Sequence, residues 1–321
     1  MDNKIGRSAE ALWKKSGLTG EYDVWSFGDA PDELAFLVLA GIKTATSSAY
    51  DCYQYDEEEE LPVTGGYSVI TDSKGNAVCI IREGRIRIVP YRDIDAVHAY
   101  KEGEGDRSLE YYRSVHDPFF RRELAECGKE FSEDSLIVLE EFELVYPRLY
   151  LKETNMEDAE EEYRIWQKIP AENGFENNHL GEGFETFRDV TIPKMINYAK
   201  GIGLKPEHVP QTCYMLWREK EIVGIFKVRH YLNDVLRNGS GHIGYVTAPE
   251  YRGRGYGRLG LRLAAEALQK LPDFAEDEIY MSCYKENAAS LNVMLKNGAY
   301  IHHEDERRCF TRIPLNKTEG R

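Results

Sequence analysis

Alternating apolar and polar residues dominate the first half of the chain and predict β-strands there. Strands are expected at residues 67–72, 77–81, 85–89 and 136–146. The turn at residues 73–76 joins the first two strands as a hairpin. Helical spacing replaces the alternation at residues 32–40, where Gly41 ends the helix, and at residues 109–127. This half is therefore predicted to be an α+β domain, and the pattern changes at Pro147.

The second half of the chain mixes strands with longer amphipathic helices. Strands are predicted at residues 213–217, 222–228, 242–246, 278–283 and 308–313. Helices are predicted at residues 156–167, 259–271 and 287–295. We expect two domains, residues 1–147 and residues 148–321, because charge balance and pattern both change at Pro147.

A glycine-rich segment, Arg252-Gly253-Arg254-Gly255-Tyr256-Gly257, lies between a predicted strand and a predicted helix. Glycine lacks the Cβ atom that keeps a ligand away from the backbone, and the N–H groups at a helix start have no partner within the helix. The helix dipole adds a positive potential at this end. The segment therefore predicts a binding site for phosphate oxygens.

Two common phosphate-binding motifs do not fit this segment. Residues 255–260 satisfy G-x-G-x-x-G, but residues 247–254 separate them from the strand, whereas a dinucleotide-binding turn has its first glycine directly after the strand. A P-loop needs a lysine followed by Ser or Thr at the helix start, and the segment has none.

The spacing Val246-x-x-Pro249-x-x-Arg252-x-x-Gly255-x-Gly257 resembles the pyrophosphate-binding motif of the GNAT superfamily of acyl-CoA-dependent N-acyltransferases. Farther along the chain, Asn287-x-x-Ser290 and residues 296–299 match the last motif of that superfamily, and residues 242–245 resemble the approach strand of one branch. The resemblance covers roughly residues 148–315 and implies for this domain the α/β GNAT fold, with a central mixed sheet flanked by helices.

The resemblance also implies acetyl-CoA as co-substrate, without a metal. Backbone N–H groups of Arg254, Gly255 and Gly257, with Arg252 beside them, are expected to bind the diphosphate. The backbone of Tyr245 and Val246 is expected to pair with the pantetheine arm. A neutral amine then attacks the thioester while a backbone N–H polarises its carbonyl. The expected cofactor-binding residues are Tyr245, Val246, Arg252, Gly253, Arg254, Gly255, Tyr256, Gly257, Asn287 and Ser290.

The acid and the base of the transfer are less defined than the cofactor site. Many GNAT members use as acid a tyrosine at the position that Met294 occupies in this chain. We interpret Met294 as a core residue. Tyr284 or a water molecule is expected to serve as the acid instead. His230 and Glu219 are the candidates for the base, and the sequence leaves the choice open.

Three motifs of the first half resemble the ASCH domain, a small β-barrel relative of the PUA modules that read RNA. They are Trp25-x-Phe27-Gly28-Asp29, Gly41-x-Lys43-x-x-Thr46 and His98-Ala99-x-x-Glu102, within a likeness that spans about residues 9–146. In family members that hydrolyse N4-acetylcytidine, the matching positions serve as base, nucleophile and proton donor. The resemblance thus implies these roles for Lys43, Thr46 and Glu102, respectively.

The roles of Lys43 and Thr46 depend on their surroundings. Burial lowers the pKa of a lysine and neighbouring carboxylates raise it, so the sequence does not fix whether Lys43 is a base. The first alternative is a module that binds a nucleoside or an RNA end. The second is a domain without catalysis, in which Lys43 favours a helix end and Thr46 bonds to the backbone.

Composition and charge limit the partners. The chain has 42% hydrophobic and 30% charged residues, which is typical of a soluble globular protein. The first 147 residues contain 16 basic and 30 acidic residues, a net of −14 out of −15 for the whole chain. This acidity argues against long DNA or RNA as a partner. The longest apolar run, residues 34–42, is too short to span a bilayer, and no signal peptide is recognisable, so a cytoplasmic protein is expected.

Cysteines and histidines suggest no further chemistry. The six cysteines are scattered without a C-x-x-C pair, so free thiols are predicted. His302 and His303 precede three acidic residues, but adjacent side chains point in different directions, so a solvated turn is predicted rather than a metal site.

The main hypothesis is an N-acyltransferase that moves an acetyl group from acetyl-CoA to an amine of a small-molecule acceptor. Its ASCH-like half then binds or hydrolyses a nucleoside- or RNA-type ligand. The alternative is a nucleoside- or RNA-end-binding module regulated by an acyl-CoA-binding GNAT domain with weak catalysis. A third option joins the halves, one adding an acetyl group that the other removes. The sequence does not identify the acceptor, and it permits a homodimer.

Overall fold

A computed structural model of the chain describes residues 2–55 and 60–315, which divide into two units, Met1–Arg148 and Leu149–Arg321. The first unit has one five-stranded sheet and the second has two sheets, and each unit has apolar cores of its own. Over the described ranges, no helix combines the length and the apolar composition needed to cross a membrane.

The first unit is built around one curled, barrel-like sheet. Its strands are β1 (Asp23–Trp25), β2 (Ala45–Ala49), β3 (Tyr67–Thr71), β4 (Ala77–Pro90) and β5 (Leu136–Tyr146). Its helices are α1 (Asp2–Ser16), α2 (Pro31–Leu39), α3 (Tyr50–Tyr55), α4 (Ala96–Glu102) and α5 (Leu109–Glu126). The strand order is β1-β3-β4-β5-β2, with β1 and β3 parallel and the other neighbours antiparallel. The fold class predicted from the alternation is confirmed.

Strand β4 is longer than the sequence pattern predicts. The strands expected at residues 77–81 and 85–89 form one strand, because a bulge between Glu83 and Ile86 shifts the register against β5 without ending the pairing. Gly84 lies in this bulge, where a Cβ atom would be 2.9 Å from the carbonyl oxygen of Glu141. The missing side chain therefore lets the two strands continue side by side.

The prediction that all six cysteines are free thiols is wrong for two of them. Cys52 in α3 and Cys127 at the end of α5 form a disulfide across 75 residues of sequence. Packing of α3 against α5 brings these distant positions together, which spacing along the chain does not reveal. The remaining cysteines are buried free thiols: Cys79, Cys213, Cys283 and Cys309.

The second unit contains two antiparallel sheets that are flanked by helices. Its strands are β6 (Leu149–Glu153), β7 (Gln211–Arg218), β8 (Glu221–Arg229), β9 (Ile243–Thr247), β10 (Glu278–Tyr284), β11 (Tyr300–Glu304) and β12 (Arg308–Pro314). Its helices are α6 (Ala159–Lys168), α7 (Phe184–Thr186), α8 (Ile192–Ala199), α9 (Asp234–Arg237), α10 (Tyr256–Gln269) and α11 (Ala288–Leu295). One sheet has the order β6-β7-β8-β9 and the other β10-β12-β11.

Two apolar cores cover the two faces of the sheet β6-β7-β8-β9. Helix α10 packs on one face, where Phe226 of β8 stacks with Tyr245 of β9. Helices α6 and α8 cover the other face, where Trp166 and Ile225 are fully buried. Because side chains alternate along a strand, β8 serves both cores.

The prediction of a solvated turn at His302 and His303 is wrong. Both residues lie in strand β11, whose side chains are all exposed. The polar sequence does not predict a strand here because β11 has no apolar face of its own. It is held by its pairing with the buried strand β12.

Candidate functional site

Each unit contains one candidate site, and the site of the first unit surrounds Lys43. The side chain of Lys43 is 1% exposed and lies between α2 and β2. Its ammonium donates to the carboxylate of Glu102, and to Oε1 of Glu104 at 2.9 Å. The ring of Phe27 is 5.2 Å from Nζ.

The local fold explains why Lys43 meets Glu102. After α2, the N–H groups of Ile42 and Lys43 both donate to the carbonyl of Leu37, which turns the chain inward. Helix α4 ends at Glu102, and Gly103 follows with φ 76°. A Cβ atom on Gly103 would lie 2.5 Å from the carbonyl oxygen of Ile42. Glycine at this position therefore allows the end of α4 to pack directly on the turn that carries Lys43.

Ser47 completes the group around Glu102. Its hydroxyl donates to Oε1 of Glu102 at 2.6 Å and accepts from the hydroxyl of Tyr112 at 2.9 Å. Nε2 of His98 is also 2.9 Å from this hydroxyl, and the ring of His116 stacks on Tyr112 at 3.9 Å. We name this group the ionic cluster; its members are Lys43, Ser47, His98, Glu102, Glu104, Tyr112 and His116.

The electrostatics of the ionic cluster favour a charged pair at rest. Burial opposes ionisation of Glu102, but Lys43, His98 and His116 outweigh it and hold the pKa of Glu102 well below its usual range. Burial likewise opposes the charge of Lys43, but Glu102 and Glu104 outweigh it and raise the pKa of Lys43. Lys43 can therefore act as a base, and Glu102 as a proton donor, only after a proton passes from Lys43 to Glu102.

The structure separates Thr46 from this group. Along β2, Ala45, Ser47 and Ala49 are buried on one face, whereas Thr46 is half-buried on the other and lies opposite Glu140 of β5. Of the three residues singled out by sequence, Lys43 and Glu102 meet, and the hydroxyl beside them belongs to Ser47. The period of two in Ala45-Thr46-Ser47 is the sequence signal for this arrangement, because it places Ser47, and not Thr46, on the buried face with Ala45.

Two further features surround the ionic cluster. Ligand atoms of Glu102, Glu104 and His116 lie within 4.8 Å of one another, which suits a metal ion, but the ammonium of Lys43 already pairs with both carboxylates and repels a second cation.

Thr44 and Lys101, the chain neighbours of the buried pair, line a cavity of 430 Å³. Its lining also includes Glu83, whose pKa is raised to about 7 by burial and by Asp23.

The site of the second unit lies where β9 and β10 separate. Gly241 bridges to Met281, and the N–H of His242 donates to the carbonyl of Tyr280 at 2.7 Å. The N–H of Tyr280 donates back to Nδ1 of His242 at 3.0 Å. Beyond this junction β9 pairs with β8 and β10 pairs with β12. In the described chain, residues 243–247 thus keep one edge without a strand partner, and we name it the splayed edge.

The glycine-rich segment lies next to the splayed edge. Gly253 and Gly255 have φ values of 72° and 81°, which turn the chain into α10. No side chain caps this helix start, and the first backbone bond of α10 runs from the N–H of Leu259 to the carbonyl of Gly255. A Cβ atom on Gly257 points at the hydroxyl of Thr247, at 3.1 Å, so α10 packs closely on β9. The first N–H groups of α10 therefore point outward beside β9.

Arg252 and the asparagine motif flank this helix start. The guanidinium of Arg252 donates to the carbonyl of Thr247 at 3.1 Å and pairs with Glu172 at 2.5 Å. The side chain of Asn287 accepts from the N–H of Ser290 at 3.0 Å and so caps α11. The hydroxyl of Tyr245 is 2.9 Å from the hydroxyl of Ser290. The structure thus brings the predicted cofactor residues together around the splayed edge.

The candidate acid and bases are placed differently. Met294 is 1% exposed, and its sulfur accepts from the hydroxyl of Thr311 at 3.2 Å, so it is a core residue. Tyr284 is the last residue of β10, and its hydroxyl makes no hydrogen bond within the described chain. His230 and Glu219, the candidate bases, lie at opposite ends of β8, so they cannot share one site. Nε2 of His230 lies 2.8 Å from the hydroxyl of Thr212.

Family models match both units. A model of the ASCH domain matches residues 23–146, and a model of the acetyltransferase (GNAT) domain matches residues 143–300. The ASCH domain from Lactobacillus crispatus JV V101 is 30% identical, and the match covers 44% of this chain and 95% of that chain with a TM-score of 0.41. A protein from Enterococcus faecalis V583 is 34% identical over 46% of this chain and 92% of that chain, with a TM-score of 0.40.

The structure of AAC(6')-Ib in complex with ribostamycin and coenzyme A is 14% identical to this chain. That match covers 54% of this chain and 98% of the other, with a TM-score of 0.38. No curated protein matches this chain.

Proposed function

Because residues 23–146 belong to the ASCH domain family and residues 143–300 to the GNAT acetyltransferase family, we propose that the chain is an N-acetyltransferase with a separate ligand site in its first unit. The second unit transfers an acetyl group from acetyl-CoA to an amine of a small molecule. The two units act as separate domains, residues 1–147 and 148–321.

One observation carries the proposal: the splayed edge lies beside the uncapped start of α10. The N–H groups of residues 254–257 bind the diphosphate, and the positive end of the helix dipole favours its charge. The backbone of Tyr245 and Val246 pairs with the pantetheine arm as a neighbouring strand does. This arrangement holds the thioester at the splayed edge.

The reaction needs few groups from the protein. A neutral amine attacks the thioester carbon, and a backbone N–H of the splayed edge donates to the oxygen that gains charge. As the amide forms, the nitrogen loses a proton to water and the thiolate of coenzyme A leaves. In this proposal Tyr284 donates a proton to that thiolate. Holding the amine and the thioester together supplies much of the acceleration.

Acetyl-CoA binding to an Arg254→Glu variant tests the cofactor site. Arg254 is exposed and forms no hydrogen bond or ion pair within the described chain, so we expect the change to keep the fold and to place a negative charge beside the diphosphate. By isothermal titration calorimetry we expect affinity to fall about tenfold or more. Lys220→Glu, in the exposed turn before β8, is the matched control. Equal affinities for both variants, or no binding by the native protein, would refute the proposal.

For the first unit, the buried ionic cluster favours a second function, the binding of a nucleoside or an RNA end. Burying a network of charges costs free energy unless interactions with the rest of the fold or with a ligand offset that cost. Titration of N4-acetylcytidine against the native protein and Lys43→Ala tests this, because a role for Lys43 requires weaker binding by the variant. Product analysis of the same samples shows whether deacetylation occurs, and hydrolysis that persists in Ser47→Ala but not in Thr46→Ala would assign the nucleophile to Thr46.

A further inference from the structure

Strand β8 carries two cations that have no carboxylate partner in the described chain. Lys227 and Arg229 are both half-buried and, being two residues apart, lie on the same face of the sheet. The ammonium of Lys227 lies 4.7 Å from the ring centre of Phe175 and 5.3 Å from that of Trp166. Arg229 donates to the carbonyl of Gly241 at 2.9 Å. These contacts leave most N–H donors of both cations unused.

The charge around this pair is uncompensated. Burial lowers the pKa of Lys227, and Arg229 lowers it further, while the exposed carboxylate of Glu176 opposes this from beyond contact distance. Burial alone lowers the pKa of Arg229. Partly buried cations without an anionic partner are unfavourable, and a bound anion that fills the unused donors removes this cost.

The space beside Lys227 is open and adjoins the reacting centre. Lys227 pairs in register with Gly244 of β9, so their side-chain positions share a face. A Cβ atom on Gly244 would meet nothing within 4 Å. Gly244 directly precedes Tyr245 and Val246 of the splayed edge. The open position over Gly244 thus lies between Lys227 and the place where the proposed function puts the thioester.

The opposite face of the sheet is already filled. Helix α10 packs there so closely that a Cβ atom on Gly260 would lie 2.1 Å from Phe226. Helices α6 and α8 cover other parts of the face that carries Lys227, but the position over Gly244 is open, so a small molecule can reach the splayed edge there.

We propose that the acceptor is an amine that also carries an anionic group, a carboxylate or a phosphate, which binds to Lys227 and Arg229. This inference rests on the proposed acetyl transfer and narrows its substrate class. A polyamine lacks such a group, and its positive charges would be repelled by the two cations at the entrance. The anion instead orients the molecule, with its amine toward the splayed edge.

Matched pairs of amines test the inference by the release of free thiol from acetyl-CoA. The pairs are glycine with glycinamide and phosphoethanolamine with ethanolamine, with spermidine as the polycation. We expect the anionic member of a pair to have the higher kcat/KM, and the pair with the larger ratio distinguishes carboxylate from phosphate. A preference for neutral amines or spermidine overturns the inference. So does the absence of turnover with every amine while acetyl-CoA still binds.

The Lys227→Met variant links the preference to this site. Methionine keeps an apolar chain between the rings of Trp166 and Phe175 but removes the charge. We expect KM for the anionic amine to rise about tenfold or more, because a hydrogen bond to a charged group is lost, with no change for its neutral partner. Lys220→Met is the control. An unchanged ratio within the pair contradicts the inference.

Two further measurements separate the possible failures. Acetyl-CoA affinity, measured by calorimetry on the same samples, reports the proposed function independently: if acetyl-CoA does not bind, the transfer itself is refuted. Should Lys227→Met fail to fold, inorganic phosphate provides a test on the native protein. We expect phosphate to compete with the amine at concentrations too low to displace acetyl-CoA, and displacement of acetyl-CoA without competition against the amine contradicts the inference.

Discussion

Lys43 is buried, and its carboxylate partners determine whether its pKa is raised or lowered. It pairs with Glu102 and Glu104, and Ser47 and His98 complete the surroundings of Glu102. Sequence alone allowed either a lowered or a raised pKa for Lys43. The carboxylates outweigh burial, so the pKa is raised and the lysine is an ammonium at rest.

Removing this ammonium should destabilise the first unit strongly. In Lys43→Met the buried charge of Glu102 loses its main partner, and breaking a buried pair in this way costs about 3–5 kcal/mol. Urea unfolding at neutral pH measures the change in free energy, with Lys74→Met in an exposed hairpin turn as the control. The double variant Lys43→Met, Glu102→Gln should recover part of the loss. Similar stabilities for Lys43→Met and Lys74→Met would contradict the expectation.

Tyr284 and Met294, the two positions considered for the acid of the transfer, differ in their surroundings. Met294 is packed in the core, as the sequence predicted, whereas the hydroxyl of Tyr284 makes no hydrogen bond within the described chain. We expect Tyr284→Phe to lower kcat of acetyl transfer about tenfold or more, because the leaving thiolate loses its proton donor. Steady-state rates of thiol release measure this, with Tyr300→Phe as the control. An unchanged kcat would assign the proton to water.

At the scale of elements, the junction of β9 with β10 depends on one imidazole. His242 is fully buried and accepts from the N–H of Tyr280 through Nδ1, where a strand would normally offer a carbonyl. Burial lowers the pKa of His242 to about 4, although Glu276 opposes this effect. The junction holds the two strands at one point and lets them diverge beyond it, which creates the splayed edge.

This histidine should make the second unit sensitive to acid. Its pKa is lower in the folded chain than its ordinary value of 6.5, so the unfolded chain binds more protons between these values. Stability should therefore be present above pH 6.5 and fall as the pH drops toward 4, by about 3 kcal/mol at most. His242→Asn keeps an acceptor that does not titrate and should flatten this part of the profile. Urea unfolding from pH 4 to 8 measures this dependence of stability on pH, and His302→Asn is the control that should keep the native slope. A slope for His242→Asn as steep as that of the native protein or of the control would contradict the assignment.

At this scale the sequence predicted the glycine-rich turn but not every strand. Three glycines before a periodic helix are a local signal, and Gly253 and Gly255 do adopt the positive φ that the turn requires. The continuous strand β4 and the exposed strand β11 were not predicted, because a bulge and a neighbouring strand decide them.

At the scale of the whole molecule, two units carry two unrelated sites. Nearly all the net negative charge lies in the first unit, and Lys227 and Arg229, which have no carboxylate partner in the described part of the chain, lie in the second. If the units act separately, acetyl-CoA should not change the affinity for N4-acetylcytidine. Calorimetry with and without saturating acetyl-CoA measures this. A changed affinity, with the reciprocal change for acetyl-CoA, would favour the alternative in which acyl-CoA regulates a nucleoside-binding module.

The sequence by itself determined the two fold classes, the place of the phosphate-binding turn, and the meeting of Lys43 with Glu102. Local periodicity, glycine spacing and family motifs carry these features, and they need few long-range contacts. Tertiary structure alone decided that Ser47 rather than Thr46 lies beside Glu102, that Lys43 is charged, that Cys52 bonds to Cys127, and that Lys227 has no carboxylate partner among residues 2–55 and 60–315. Each of these depends on which side chains distant parts of the chain bring within a few ångströms, and so on strand facing, burial and charge pairing.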